Sequence, residues 1–321
     1  MSQAKLGAPG LVGKHASRGD FLNLGNREHA FTSFDAFLTH NVEWAEQNAG
    51  SHWADVYDAG GVQAFVYRPT SGGRAAALVG ALGPSSDRAG RRFPLSVAMP
   101  LFASPELRAS PEVLPLALES AWQASGDIVL SLTADAEANV ADRFERLVAP
   151  AIEFEEALDA YAEWTRSLPV DQLWALILGD EPAVDPARAL ALVTETVQSC
   201  RGVEEPTTPL SLRLPLGLAG GAAVCFWLDW VRSIARWKAT MPSFFWSHDG
   251  QQGAMILSLG VPPRSTLAEL WLPTGERDEI CDVAAGPWDV PESSAARWSS
   301  FRAGSGRTLA ELLHAAQTLE L

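Results

Sequence analysis

Two stretches of the 321-residue chain concentrate side chains that could do chemistry. They are Gly13-Lys14-His15-Ala16-Ser17-Arg18-Gly19-Asp20-Phe21 and Gly83-Pro84-Ser85-Ser86-Asp87-Arg88-Ala89-Gly90-Arg91-Arg92-Phe93-Pro94-Leu95. Each joins hydroxyls and glycines to an Arg/Asp pair and ends on an apolar anchor. Such loops have two physical uses. Their amides and guanidinium groups can cradle an anion such as phosphate, or Asp and Arg can lock each other with bidentate hydrogen bonds and brace the fold. The brace is the expected use, because there is no G-x-x-x-x-G-K-[ST] and no G-x-G-x-x-G after a strand. A nucleophilic triple drawn from Ser17 or Ser85, His15 and Asp20 or Asp87 lacks a G-x-S-x-G elbow, and serine-rich chains supply such triples by chance. Arg18-Gly19-Asp20 is not read as an adhesion signal in so acidic a chain.

The six histidines (His15, His29, His40, His52, His248, His314) show no metal-ligand spacing, and Cys200, Cys225 and Cys281 form no C-x-x-C pair. Neither a zinc site nor a disulfide framework is expected. Twenty-four Lys and Arg against 39 Asp and Glu give a net charge of −15, which argues against a generic nucleic-acid binder. The charge is uneven. Residues 1–110 hold ten basic and nine acidic residues, a net of +1, so the rest of the chain carries −16. With 47% hydrophobic residues, the chain can fill a core without staples. Met1–Gly10 lacks the apolar centre of a signal peptide, and the most hydrophobic run, Leu214–Leu228, contains Pro215 and three glycines and is too short to span a bilayer. The expected compartment is a reducing cytoplasm, without membrane insertion.

Elements must position the two loops. Phe31, Phe34, Leu38, Val42 and Ala45 fall at helical spacing, predicting a helix over 31–48 with an aromatic face. Val62–Tyr67 and Ala75–Leu82 read as strands around a turn at Pro69 and Ser71-Gly72-Gly73, and Phe93–Met99 reads as a strand closed by Pro100. From Pro111 to Val197 the texture is helical, broken near Pro150, at Leu168-Pro169 and across Asp180–Asp185 with Pro182 and Pro186. Gly202–Pro209 is the best loop. Beyond it, Leu210–Leu214, Ser243–Trp246 and Ala254–Leu259 look like strands, while Ala222–Trp237 suits a helix or a strand. Thr266/Glu269 and Thr308/Glu311 are candidate capping boxes, the second opening a terminal amphipathic helix. Most of the 12 tryptophans are expected in the core; the alternative is a docking patch of Trp227, Trp230, Trp237 and Trp246.

The order Gly13-x-x-x-x-Ser17-Arg18-Gly19-Asp20-Phe21, a helix with Phe34 and Asp35, Trp53, then Gly83-x-Ser85-x-Asp87-Arg88-x-Gly90-Arg91-x-Phe93-Pro94-Leu95 resembles the TagF family of type VI secretion-associated proteins. Pro242-Ser243-Phe244-Phe245-Trp246 and Leu259-Gly260-Val261-Pro262-Pro263 resemble that family's second half. The resemblance covers residues 10–100 and about 240–270. It implies an α/β fold, a mixed sheet sandwiched by helices in three layers, and a cytoplasmic post-translational repressor of the type VI secretion system. Such a repressor would bind a component such as the forkhead-associated scaffold protein, without catalysis, metal or cofactor. The matched positions Ser17, Arg18, Gly19, Asp20, Ser85, Asp87, Arg88, Gly90, Arg91 and Phe93 are the candidate interaction site. There Asp20 and Asp87 are expected to orient Arg18, Arg88 and Arg91, with Gly19 and Gly90 permitting close backbone approach. The expected organisation is an N-terminal α/β half (1–110), a helical insertion (111–205) and a C-terminal half completing the sheet and ending in a helix (206–321). The alternative is a phosphate- or nucleotide-binding enzyme using the Ser85–Arg92 loop.

Overall fold

The computed structural model describes residues 4–25, 28–48, 50–69, 74–179, 185–203, 209–236, 241–247, 253–271, 280–283, 285, 289–301 and 304–319. The expected turn at Ser71–Gly73, Pro182, most of the Gly202–Pro209 loop, Trp237 and His248 lie outside them. The N-terminal strands are β1 (Lys5–Leu6), β2 (Gly10–Gly13), β3 (Leu22–Gly25), β4 (Gln63–Tyr67), β5 (Ala75–Gly83) and β6 (Leu95–Phe102). Helix α1 (His29–Asn48) and the short α2 (Trp53–Asp58) come between β3 and β4. Seven helices follow: α3 (Pro105–Ala109), α4 (Leu114–Ala117), α5 (Glu119–Thr133), α6 (Val140–Phe144), α7 (Phe154–Ser167), α8 (Val170–Leu178) and α9 (Pro186–Gln198). The chain then returns to the sheet with β7 (Ser211–Gly217), α10 (Gly220–Ala235), β8 (Ser243–Ser247), β9 (Gly253–Ser258), α11 (Thr266–Trp271) and β10 (Ile280–Asp282), and ends in α12 (Glu292–Trp298) and α13 (Leu309–Gln317).

All ten strands form one sheet in the order β10-β7-β9-β8-β4-β5-β6-β2-β3, with β1 also pairing β6. Only β10–β7 is parallel, which makes the sheet mixed. Strand alternation splits the core between two faces. On one face Phe65, Tyr67, Leu78, Leu82, Ala98 and Phe245 pack against Phe34, Phe37 and Leu38 of α1 and Leu267 of α11. On the other, Ala81, Leu95 and Val97 meet Val129 and Leu132 of α5, and the rest of that face packs against α4, α7–α10, α12 and α13. This is the three-layer α/β/α arrangement with helical insertions.

Several elements differ from expectation. Strand β6 runs through Pro100 to Phe102 instead of stopping before it. In a strand the amide and carbonyl of one residue face the same neighbour. Pro100's carbonyl accepts from Gly7 at 2.7 Å, so its missing N–H falls where the adjacent chain passes from β1 to β2 and needs no donor. The segment Ala222–Trp237 is helical through Ala235, with Ala223, Trp227, Trp230 and Ile234 buried at helical spacing. Thr308 and Glu311 make the expected capping box. Thr266 does not cap: it is the first residue of α11, and its hydroxyl donates to the Pro263 carbonyl at 2.8 Å. The tryptophan docking patch is overturned, since Trp227 and Trp230 are fully buried and Trp246 nearly so. The indole N–H of Trp227 donates to the Pro215 carbonyl at 2.7 Å.

Candidate functional site

The two loops leave the sheet at the same end. Gly83 pairs with Leu95, and Val12 with Ser96, which sets the start of one loop beside both ends of the other. Gly13 makes this approach possible. Its φ is +128°, and a Cβ there would lie 2.0 Å from the Pro94 carbonyl oxygen. Beside the same end, α2 leads into β4 and the C-terminal end of α5 supplies Leu130–Ala134.

Contacts between the loops converge on main-chain carbonyls of the first loop. The Ser85 hydroxyl donates to the Lys14 carbonyl at 2.7 Å, and the Arg88 amide to the Arg18 carbonyl at 2.8 Å. The Arg91 guanidinium donates through Nη2 to the Gly19 carbonyl at 2.8 Å. Tyr57 of α2 clamps Ser85 on both sides, its hydroxyl taking the Ser85 amide at 3.0 Å and facing the Ser85 carbonyl at 2.9 Å. Burial raises the Tyr57 phenol pKa, so it stays protonated and can donate. Arg92 forks onto Asp58 at 2.9 and 2.6 Å, a bidentate pair at the rim.

Asp87 is the centre of the brace, with a side chain fully removed from solvent. Its Oδ1 accepts the amides of Ala89 and Arg91, each at 3.0 Å; its Oδ2 accepts Arg91 Nε at 2.7 Å and lies 3.3 Å from Lys14 Nζ. Burial by itself would raise this carboxyl's pKa. The Arg91 amide and guanidinium, the Lys14 ammonium and the Ala89 amide outweigh it and hold the group at about 2. The Ala89 and Arg91 amides, the Arg91 guanidinium and the Lys14 ammonium, which could have cradled a phosphate, are therefore already engaged by the protein's own carboxylate.

His15 is also buried. Its Nε2 lies 2.9 Å from the Leu132 carbonyl, which can only accept, so the proton is assigned to Nε2 and Nδ1 is the acceptor. Nδ1 takes the amide of Ser17 at 3.1 Å and its hydroxyl at 2.8 Å. A serine beside a histidine suggests a nucleophile and base, but here the imidazole closes a turn on the serine's own amide. Ser17 lines neither of the clefts described below.

The other expected site residues divide clearly. Phe93 is buried and stacks edge-on against Phe21, centroids 4.8 Å apart. Phe21 itself is 56% exposed, with Lys14 Nζ 4.8 Å from its ring centre. Asp20 does not share Asp87's role: it is exposed and pairs with no arginine. Arg18 and Arg88 are exposed, without a hydrogen-bond or ion-pair partner for their side chains among the described residues. Close approach is not what Gly19 and Gly90 provide. A Cβ on Gly19 would sit 3.6 Å from the Arg88 guanidinium, an ordinary contact, and Gly90 has open space but a φ of +77°. Lys14, His15, Tyr57, Asp58 and Arg92 belong to the site although the family motif did not single them out. The signal for Tyr57 was its i,i+4 spacing from Trp53, which puts both aromatics on one side of α2.

Two clefts flank the joined loops, one on each face of the sheet. A cleft of about 420 Å³ includes His15, Ser85, Ser86, Asp58, Leu130 and Thr133 in its wall. The other, about 400 Å³, includes Phe21, Glu43, Glu46, Trp53, Arg91 and Phe93. Among the described residues no group of three or more His, Cys, Asp or Glu could hold a metal ion. No described helix is long and apolar enough to cross a membrane.

No curated protein matches the chain significantly. A solved structure, PA0076 from Pseudomonas aeruginosa PAO1, is 23% identical, with 84% of this chain and 96% of that one covered at a TM-score of 0.48. Residues 10–149, which contain both loops, α1, α2 and α5, match the family model described as the TagF N-terminal domain, type VI secretion system-associated.

Proposed function

We propose that this protein is a non-enzymatic cytoplasmic accessory protein that represses type VI secretion system assembly post-translationally, by binding a component such as the forkhead-associated scaffold protein. The family match over residues 10–149 supports the connection to that secretion system. The observation that carries the binding role is the contrast within the two loops: Asp87, Lys14 and Arg91 are consumed by the brace, whereas the side chains of Arg18 and Arg88 are held out from it, without a partner among the described residues. Rigid loops presenting unpaired arginines are suited to recognising a protein surface.

The test is affinity capture of the tagged chain from its host at low and moderate salt, with a parallel secretion assay. Recovery of a secretion scaffold, weakened by salt and by Arg88→Ala, supports the reading. Recovery of no secretion component by a folded bait, in cells that express the system, overturns it. The alternative of a phosphate- or nucleotide-binding enzyme has no supporting observation, since Asp87 occupies its cradle. Calorimetry with inorganic phosphate showing binding that Arg91→Ala abolishes would revive it.

A further inference from the structure

We infer that this end of the sheet binds a short acidic segment of a partner protein that straddles the joined loops. Its carboxylates sit on Arg18 and Arg88, and its apolar side chains enter the clefts on either side. The inference rests on the docking role proposed above and specifies the chemistry of what docks.

Three observations converge on it. The first is charge. Arg18 and Arg88 are tied to each other by a 2.8 Å main-chain hydrogen bond, so two exposed arginines leave the joined loops from neighbouring backbone positions. Neither side chain has a carboxylate partner among the described residues, and Asp20, two positions from Arg18, pairs with neither. Two exposed arginines that the fold leaves unpaired are complementary to an acidic ligand.

The second is apolar exposure at matched places. Leu130, 54% exposed, lines the first cleft, and Phe21, 56% exposed, lines the second. Phe21 is not a loose side chain, since Phe93 and Lys14 hold its ring. A pre-positioned aromatic beside a concave wall is the arrangement found at binding hot spots. The third is a buried donor left over. Trp53 lines the second cleft, is 4% exposed, and its indole N–H has no acceptor among the described residues. A carbonyl of an entering segment that displaces the covering cleft wall would satisfy it.

The acidic side chains at the site set the register of the ligand. Glu43 and Glu46 stand on the α1 wall of the second cleft, and Asp58 lines the first while paired with Arg92. Lys14, Arg91 and Arg92 also line the second cleft, but each is already paired with Asp87 or Asp58, which leaves Arg18 and Arg88 as the loop cations open to an incoming carboxylate. The same carboxylates, with a net charge of −15, disfavour a nucleic-acid backbone or an anionic bilayer as the occupant.

The experiment selects a phage-displayed random dodecapeptide library against the full chain, then measures a synthetic copy of the winning peptide by fluorescence anisotropy. The expected winners carry acidic residues flanked by apolar ones. Affinity should fall about tenfold or more in the Arg18→Ser/Arg88→Ser double variant and, separately, in Phe21→Ser and Leu130→Ser. Circular dichroism and thermal unfolding should match the parent. Winners without acidic residues, binding unchanged in these folded variants, or no enrichment at all would overturn the inference. So would ridge-dependent binding of phosphatidylserine vesicles or single-stranded DNA in place of peptide. If the double variant loses repression of secretion while the library yields no acidic consensus, the docking role stands and this inference fails. If acidic peptides bind at the ridge and repression is untouched by the double variant, the reverse holds.

Discussion

The amide of Arg88 donates to the carbonyl of Arg18 at 2.8 Å, so the loops are tied through main chain at the two positions whose side chains face away from the fold. Truncating either side chain leaves that tie in place. Arg88→Ala is therefore expected to lower partner recovery in affinity capture while urea unfolding stays within about 0.5 kcal/mol of the parent. Loss of the circular dichroism spectrum would instead assign the Arg88 side chain to the brace.

Arg91→Ala should behave in the opposite way. It removes the 2.7 Å bond to Asp87 and the 2.8 Å bond to the Gly19 carbonyl, but leaves Asp87 with Lys14 and two amides. A loss of about 1–2 kcal/mol in urea unfolding is expected, because the group is partly exposed and the carboxylate is not orphaned. An unchanged unfolding midpoint would mean that the Asp87 brace does not need its guanidinium.

Asp87 makes the fold sensitive to strong acid. Its carboxyl is held at about 2, whereas an unfolded aspartate titrates near ~4. The unfolded chain binds the proton more readily, so this contribution is complete above about pH 4 and disappears as pH falls through about 2. Asp87→Asn should flatten the stability profile across that window in chemical unfolding followed from pH 5 to 2. A parallel fall in parent and variant would contradict the assignment.

Asp229 of α10 acts with the opposite sign. Burial and, next, the nearby Glu112 raise its carboxyl to about 6, against the hydrogen bonds from Tyr161 and Ser233 and the charge of Arg232. The folded chain binds this proton more tightly than the unfolded one, so stability from this group is present below about pH 4 and declines as pH rises through 6. Asp229→Asn is expected to remove that decline, a gain of up to roughly 3 kcal/mol at pH 8 relative to the parent. Equal slopes for parent and variant between pH 4 and 8 would count against it.

The glycines in the loops are not equivalent. Gly13→Ala puts a methyl 2.0 Å from the Pro94 carbonyl at a φ of +128°, and a loss of several kcal/mol or failure to fold is expected. Gly19→Ala meets only the Arg88 guanidinium at 3.6 Å and should cost under about 1 kcal/mol in the same denaturation assay.

Where several local signals agreed, the sequence was readable. The aromatic spacing of Phe31, Phe34 and Leu38 marked α1, and Thr308 with Glu311 marked the cap of α13, because in each case periodicity and side-chain chemistry pointed the same way. Strands β2 and β3 were not legible, because each is four residues long and begins or ends on glycine, a weak local strand former, and only tertiary pairing recruits them to the sheet. In the site, Asp87, Arg91 and Phe93 are joined in or beside the brace, so these three motif residues share one physical role, whereas Arg18, Asp20 and Arg88 stay outside it. Asp20 misled because spacing does not show which of two aspartates turns inward. His15 and Tyr57 act through the Leu132 and Ser85 carbonyls, 117 and 28 residues away, and such partners leave no mark in a local pattern.

The centre of the sheet has a consequence for synthesis. Strand β4 is flanked by β5 and by β8, and Phe65 and Val66 of β4 pair with Phe245 and Phe244 of β8. At about 5–20 residues per second, the ribosome needs roughly ten to forty seconds after β4 emerges before β8 follows. During that interval the side of β4 that β8 will cover has no partner strand, and an unpaired strand edge is the kind of surface that templates aggregation.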